Sequence, residues 1–201
     1  DFRLERVASI NTSGHKYGLV FPGVGWVLWR SRDHLPDDLV FHVDYLGGDM
    51  PTFALNFSRP GAQVVAQYYN FIRLGFEGYK RVQQASRDVA LHLSHAIADL
   101  GPFRLLTDGS ELPVFACTTK PDVTSFSVFD VSMALRERGW LVPAYTFPDN
   151  RKDLAVLRFV VRNGFSHDLA DLLISDLRRL MPRLTNQTEP QRGPEQQGFH
   201  H

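Results

Sequence analysis

Apolar positions in this chain follow one long helical pattern, flanked by short extended runs. Between Pro60 and Leu100, Val64, Val65, Tyr68, Tyr69, Ile72, Phe76, Tyr79, Val82, Ala85 and Val89 recur near helical spacing. Leu93, Ile97 and Leu100 continue that face until Gly101-Pro102 stops it, and Gly75 to Gly78 predicts a break or bend within it. Before the helix, Val7–Ile10, Tyr17–Phe21 and Trp26–Arg30 read as short strands around turns at Pro22-Gly23 and Gly25. Residues Leu35 to Thr52, interrupted by Pro36, Gly47, Gly48 and Pro51, read as a mobile connector or hairpin of the kind that gates sites. After the helix the pattern alternates: strands at Phe103–Leu106 and Val114–Thr119, a helix over Ser127–Arg138, strands at Leu141–Ala144 and Leu154–Val161, and a helix over His167–Leu184. Such alternation predicts a small α/β layer. Thr185 to His201, rich in Gln, Pro, Gly and Glu, buries little surface and reads as a tail that is mobile in isolation.

Composition narrows the class. The 201 residues are 43% hydrophobic and 12% aromatic, enough apolar material for one large or two small domains. Lys plus Arg and Asp plus Glu both number 22, so the basic excess expected of a phosphate-backbone binder is missing and nucleic acid is not an expected partner. No apolar run reaches bilayer length. Cys117, the single cysteine, lies in an apolar stretch and reads as a buried thiol. A disulfide framework within one chain is excluded, and the expected setting is reducing and cytoplasmic.

The chemistry concentrates in Asn11-Thr-Ser-Gly-His-Lys-Tyr17, which follows an extended run. A lysine joins an aldehyde only as its neutral amine, so it needs desolvation or a cationic neighbour, and His15 beside Lys16 supplies one. Ser13 and His15 can donate to a phosphate, and Gly14 lets that group approach the backbone. Ser13, His15 and Lys16 are therefore what a pyridoxal phosphate site uses; four residues alone equally describe a surface turn with a solvated lysine.

The surrounding text resembles the pyridoxal phosphate-dependent glutamate decarboxylases of bacterial and plant type. The resemblance is carried by Ser13-Gly-His-Lys-Tyr-Gly18, Gly23-Val-Gly-Trp-Val-Leu-Trp-Arg30, Val43-Asp-Tyr-Leu-Gly-Gly48, Phe53-Ala-Leu-Asn-Phe-Ser-Arg-Pro60, Gln67-Tyr-Tyr-Asn-Phe71, Arg73-Leu-Gly75 and Gly198-Phe-His-His201. It implies an α/β fold of the pyridoxal phosphate-dependent transferase type (aspartate aminotransferase-like, fold type I). Residues 1–85 would be the end of the large cofactor domain with its linking helix, 86–184 the small carboxy-terminal domain and 185–201 the tail. The chain opens inside structured sequence without a methionine, and the resemblance implies that roughly the first half of the enzyme precedes Asp1. The partner of the pyridine nitrogen, the residue stacked on the ring and the pocket for the substrate's side-chain carboxylate would lie there, leaving this piece inactive alone.

The implied activity is decarboxylation of L-glutamate to 4-aminobutyrate and carbon dioxide, each turnover consuming a proton, a use suited to acid resistance. Lys16 would form the Schiff base with pyridoxal phosphate, and Ser13 and His15 would hold its phosphate. Ser58 would complete the phosphate site of a neighbouring protomer, which requires a homodimer or higher homo-oligomer; a helix-capping serine is the alternative reading. Arg158, a guanidinium in the apolar strand Val156-Leu-Arg-Phe-Val160, would hold the α-carboxylate. Arg162 shares its parity, and only the resemblance selects Arg158. Tyr45 would act on the loop as proton donor or packing group, and His201 would enter the site as pH rises and cap the lysine-bound cofactor. Another pyridoxal phosphate-dependent decarboxylase or lyase, or a non-catalytic dimerisation module, stays open as an alternative.

Overall fold

The computed structural model describes residues 2–45, 47–55, 58–191 and 193. The chain forms two compact units, Asp1–Tyr79 and Lys80–His201.

In the first unit, β1 (Ser9–Ser13) pairs antiparallel with β2 (Gly25–Trp29), Ser9 opposite Trp29 and Ser13 opposite Gly25. Arg30 ends this hairpin by donating from Nε to the Val7 carbonyl at 2.9 Å and from Nη2 to the carbonyls of Phe2 and Leu4. The third expected strand, Tyr17–Phe21, is absent; that stretch is a turn. Its backbone groups are spent locally, Leu19 N–H on the Lys16 carbonyl at 3.4 Å and Val20 N–H on the Gly14 carbonyl at 3.2 Å. Leu19 takes a left-handed φ of 60°, which no strand accommodates. Residues 35–52 form a hairpin: β3 (Phe41–Val43) pairs with β4 (Met50–Thr52), and Tyr45 lies in the connection between them.

The long helix α1 (Ala62–Ala98) is interrupted at Gly75, whose φ of 57° and ψ of −170° are not helical. Glycine alone enters this region without a Cβ penalty, so the break falls at the amino-terminal end of the Gly75 to Gly78 stretch that predicted it. The two halves of the apolar stripe fare differently. Val89, Ala90, Leu93 and Ile97 are buried, whereas Val64, Val65, Tyr68, Tyr69, Ile72 and Phe76 remain exposed among the described residues.

The second unit is a four-stranded sheet of order β5-β6-β8-β7, antiparallel throughout. Its strands are β5 (Phe103–Thr107), β6 (Val114–Thr119), β7 (Ala144–Thr146) and β8 (Ala155–Val160). Helices α2 (Val128–Arg136) and α3 (His167–Thr185) join α1 over one sheet face. Strand alternation sends Phe115, Cys117, Leu157 and Phe159 into that core, with Phe115 and Phe159 stacked at 4.7 Å. Burial pushes the Cys117 thiol up to about 12, so it stays protonated and inert. The strand expected at Leu141–Ala144 begins only at Ala144. Pro143 has no N–H to give a ladder; its carbonyl accepts from Arg158 N–H at 3.0 Å and pairing starts with the next residue, Ala144 opposite Leu157.

Both short helices begin on serines. Ser127 and Asp130 form a reciprocal capping box ahead of α2, and Ser166 Oγ accepts from Leu169 N–H ahead of α3. Asp176 on α3 is buried, 4% exposed, and accepts from Trp140 Nε1 at 2.9 Å and from Arg138 Nη2 at 2.7 Å. The indole bond first, then the guanidinium, holds its carboxyl below the usual carboxylate range. A depressed carboxyl stabilises the fold above its unfolded pKa of about 3.9 and loses that contribution as pH falls through the folded value. Asp176→Asn is therefore expected to lower stability by about 2 kcal/mol at pH 7, with the gap from wild type closing below about pH 4, measured by urea unfolding at both pH values.

Candidate functional site

Loop 14–24 connects β1 to β2 and carries His15 and Lys16 on its first turn. Two buried glycines let it close. Gly14 donates its N–H to the Val24 carbonyl at 2.9 Å, and a Cβ there would lie 2.8 Å from that oxygen and 2.5 Å from Val24 Cγ1. At Gly18 a Cβ would fall 2.2 Å from Gln67 Oε1 and 2.6 Å from the Gly14 carbonyl oxygen. Any side chain at either place would push the two limbs of the loop apart.

The closed loop walls a shallow cavity of about 510 Å³ whose lining includes Thr12, Ser13, His15, Gly25 and Trp26. Ser13 is half-buried, while His15 and Lys16 are exposed on the same turn. A hydroxyl, an imidazole and a primary amine thus stand within four residues, the first two on one concavity. That donor set suits a small molecule bearing a phosphate and an aldehyde: the hydroxyl and imidazole can bond the anion, and an amine can condense with the carbonyl. The residues present fit pyridoxal phosphate.

The loop is held from α1 by a polar cluster that amphipathic spacing does not show. Gln67, with no exposed surface, donates from Nε2 to the Gly18 carbonyl at 2.8 Å and to the Tyr79 hydroxyl at 2.9 Å. Tyr79 in turn donates to the Gly18 carbonyl at 2.9 Å, and Trp26 Nε1 donates to Gln67 Oε1 at 3.3 Å. Asn70 Nδ2 donates to the Leu19 carbonyl at 2.8 Å. Phe71 lies between Trp26 and Tyr79, with ring centroids 5.2 and 5.6 Å away. Burial, partly offset by the bond from Gln67, raises the Tyr79 phenol above its ordinary value, so it remains a donor. One signal for this cluster was available: a glutamine set between Val64, Tyr68 and Phe71 in an otherwise apolar stretch of helix.

The other expected site residues lie apart from the loop or differ from expectation. Tyr45 is 72% exposed at the β3–β4 turn, and no described contact joins it to the lysine loop. Ser58 is exposed and separated from the first residue of α1, Ala62, by Arg59, Pro60 and Gly61, so it is not the capping residue. Arg158 sits on β8 in the second unit, opposite Ala116, with its side chain on the sheet face away from the core. The strand is central in the sheet and Arg158 nonetheless reaches solvent, because the helices cover only the other face. Arg162 is exposed beyond the end of β8. His201 lies outside the described residues, as does most of the tail. Among the described residues no group of three or more His, Cys, Asp or Glu is placed to hold a metal, and no helix is long and apolar enough to cross a membrane.

Residues 1–117 match the family model of the pyridoxal-dependent decarboxylase conserved domain. The chain is 55% identical over 180 residues to a glutamate decarboxylase of Aliivibrio fischeri, covering 89% of this chain and 39% of the relative. It is 51% identical over 194 residues to a glutamate decarboxylase of Solanum lycopersicum, covering 96% of this chain and 38% of that protein. Among solved structures, a glutamate decarboxylase of Lactobacillus brevis superposes with a TM-score of 0.85 at 47% identity, over 92% of this chain and 42% of that one. The chain spans about two fifths of the length of these relatives. Its mixed helix and sheet fold is that of the pyridoxal phosphate-dependent fold type I enzymes. With more than half of its length matched by the family model, the chain belongs to the pyridoxal-dependent decarboxylases.

Proposed function

We propose that this chain is the carboxy-terminal part of a pyridoxal phosphate-dependent decarboxylase that converts L-glutamate to 4-aminobutyrate and carbon dioxide. The observation that carries the reading is the turn that holds Ser13, His15 and Lys16 within four residues, Ser13 and His15 lining the β1–β2 cavity, in a chain about half identical to proteins named glutamate decarboxylase. Lys16 would hold the cofactor through its aldehyde, and Ser13 and His15 would bond its phosphate. The chemistry supplied by bound pyridoxal phosphate is a sink for the electron pair left at the α-carbon when carbon dioxide departs.

The chain's own residues supply binding and orientation. The Arg158 guanidinium, unpaired among the described residues, presents a planar fork of donors that matches a carboxylate bidentately. Holding the α-carboxylate fixes the direction of the bond to be broken, which is the protein's share of the selectivity. Tyr45 would supply a phenolic proton near the substrate. Ser58 would reach the phosphate of a neighbouring protomer, and the exposed apolar run Val64, Val65, Tyr68, Tyr69, Ile72 and Phe76 just after it supports a homodimer or higher homo-oligomer. An unpaired, buried Cys117 fits a reducing, cytoplasmic setting.

The test is release of carbon dioxide by the full-length protein, saturated with pyridoxal phosphate, from L-glutamate and from a panel of other amino acids. Glutamate is expected to give the highest kcat/KM by about two orders of magnitude, since a pocket built around a second carboxylate is left with unpaired donors by other side chains. A higher kcat/KM for another amino acid would redirect the assignment within the family.

A further inference from the structure

We propose that Gln67 is a positioning residue for Lys16: its side-chain amide, with Tyr79 and Asn70, clamps the carbonyls that end the lysine turn and sets how that turn presents the amine. This rests on the assignment of Lys16 to the cofactor given above.

The backbone bonds of Lys16 itself are long, 3.2 Å from its N–H to the Ser13 carbonyl and 3.4 Å from Leu19 N–H to its own carbonyl. The exit of the turn is held far better. Both lone pairs of the Gly18 carbonyl are used, one by Gln67 Nε2 at 2.8 Å and one by the Tyr79 hydroxyl at 2.9 Å. Leu19 follows with φ 60°, a conformation that a leucine keeps only when its surroundings impose it, and its carbonyl takes the Asn70 bond at 2.8 Å. Both polar atoms of the Gln67 side chain are engaged: its nitrogen donates to Gly18 and Tyr79, and its oxygen accepts from Trp26, which lines the cavity with Ser13 and His15. One buried side chain therefore ties the wall of the cavity to the limb of the loop that carries Lys16. It also joins the two sides of the helix break, since Gln67 precedes Gly75 and Tyr79 follows it. A helix that needed only packing here would bury an apolar side chain at lower desolvation cost.

The experiment uses the full-length enzyme, saturated with pyridoxal phosphate, as wild type, Gln67→Glu and Tyr79→Phe. Borohydride fixes the cofactor to the protein, peptide mapping locates the label, and the labelling rate at position 16 is normalised to the folded fraction at each pH. In Gln67→Glu the ionised carboxylate has no donor for Gly18, so labelling at position 16 is expected to fall about tenfold or more near pH 8. As pH falls and the carboxyl regains an O–H, the ratio of the variant's labelling rate to that of wild type should rise back towards one. Tyr79→Phe keeps the Gln67 bond and should slow labelling only about two- to threefold. Gln67→Glu labelling at the wild-type rate per folded molecule overturns the proposal, and so does a decrease with the wild-type pH profile. If Gln67→Glu does not fold, an unchanged rate in Tyr79→Phe overturns it and the two- to threefold decrease supports it. Label away from position 16 in the wild type overturns the assignment of Lys16 and this proposal with it.

Discussion

Lys16→Ala in the full-length protein is expected to reduce decarboxylation by on the order of ten-thousandfold or more and to leave borohydride with nothing to fix at position 16. The size of the effect follows from what the amine does: no neighbouring side chain can form the same covalent link. His15 carries a nucleophilic ring but no primary amine, and loop 14–24 holds no second lysine. The substitution should leave the fold intact. Lys16 is exposed, its side chain makes no hydrogen bond or ion pair among the described residues, and the closure of the loop depends on Gly14, Gly18 and Gln67 instead. Binding of phosphate-bearing cofactor should therefore persist, weakened, through Ser13 and His15. Dialysis separates the two effects: the variant should retain pyridoxal phosphate while free cofactor is present and lose it when free cofactor is removed. Activity within tenfold of wild type would remove Lys16 from the mechanism.

What was legible in the sequence was legible for local reasons. The break in α1 could be read because Gly75 is the residue that a kink at positive φ requires, and α2 and α3 could be read from the alternation of helical and extended runs after Pro102. Cys117 declared its burial through its apolar neighbours. Readings that failed depended on partners distant in the chain. Tyr17–Phe21 alternates like a strand, but its backbone groups are taken by Gly14, Lys16, Gln67 and Asn70, and the last two lie some fifty residues on. Leu141–Ala144 failed by register, because the lost N–H of Pro143 delays pairing. The turn with Ser13, His15 and Lys16 could be read as a set of donors but not as a closed loop, whereas the Gln67 cluster was visible only as a motif without a role. A hydrogen bond to a carbonyl leaves no trace in the identity of the accepting residue, here a glycine.

Arg158 offers the second large effect and the sharper discrimination. Strand alternation on β8 puts Leu157 and Phe159 in the core and leaves Arg158 on the open face, across from Ala116, whose methyl group cannot obstruct the guanidinium. Arg104, paired with Thr118, shares that face and serves as an internal control of similar charge and exposure. Arg158→Met keeps the length and apolar stem of the side chain while removing every donor. If Arg158 holds the α-carboxylate, KM for L-glutamate should rise about a hundredfold, equivalent to roughly 2.7 kcal/mol for a charge-assisted bidentate pair. 4-Aminobutyrate, the product of the proposed reaction, keeps the amine and the side-chain carboxylate but has lost the α-carboxylate. Its inhibition constant should therefore stay within about threefold of wild type in Arg158→Met, and Arg104→Met should move neither value by more than that. An equal loss of affinity for glutamate and for 4-aminobutyrate would mean that Arg158 holds the site's shape or the other carboxylate. An unchanged KM would send the search for the α-carboxylate partner to Arg162.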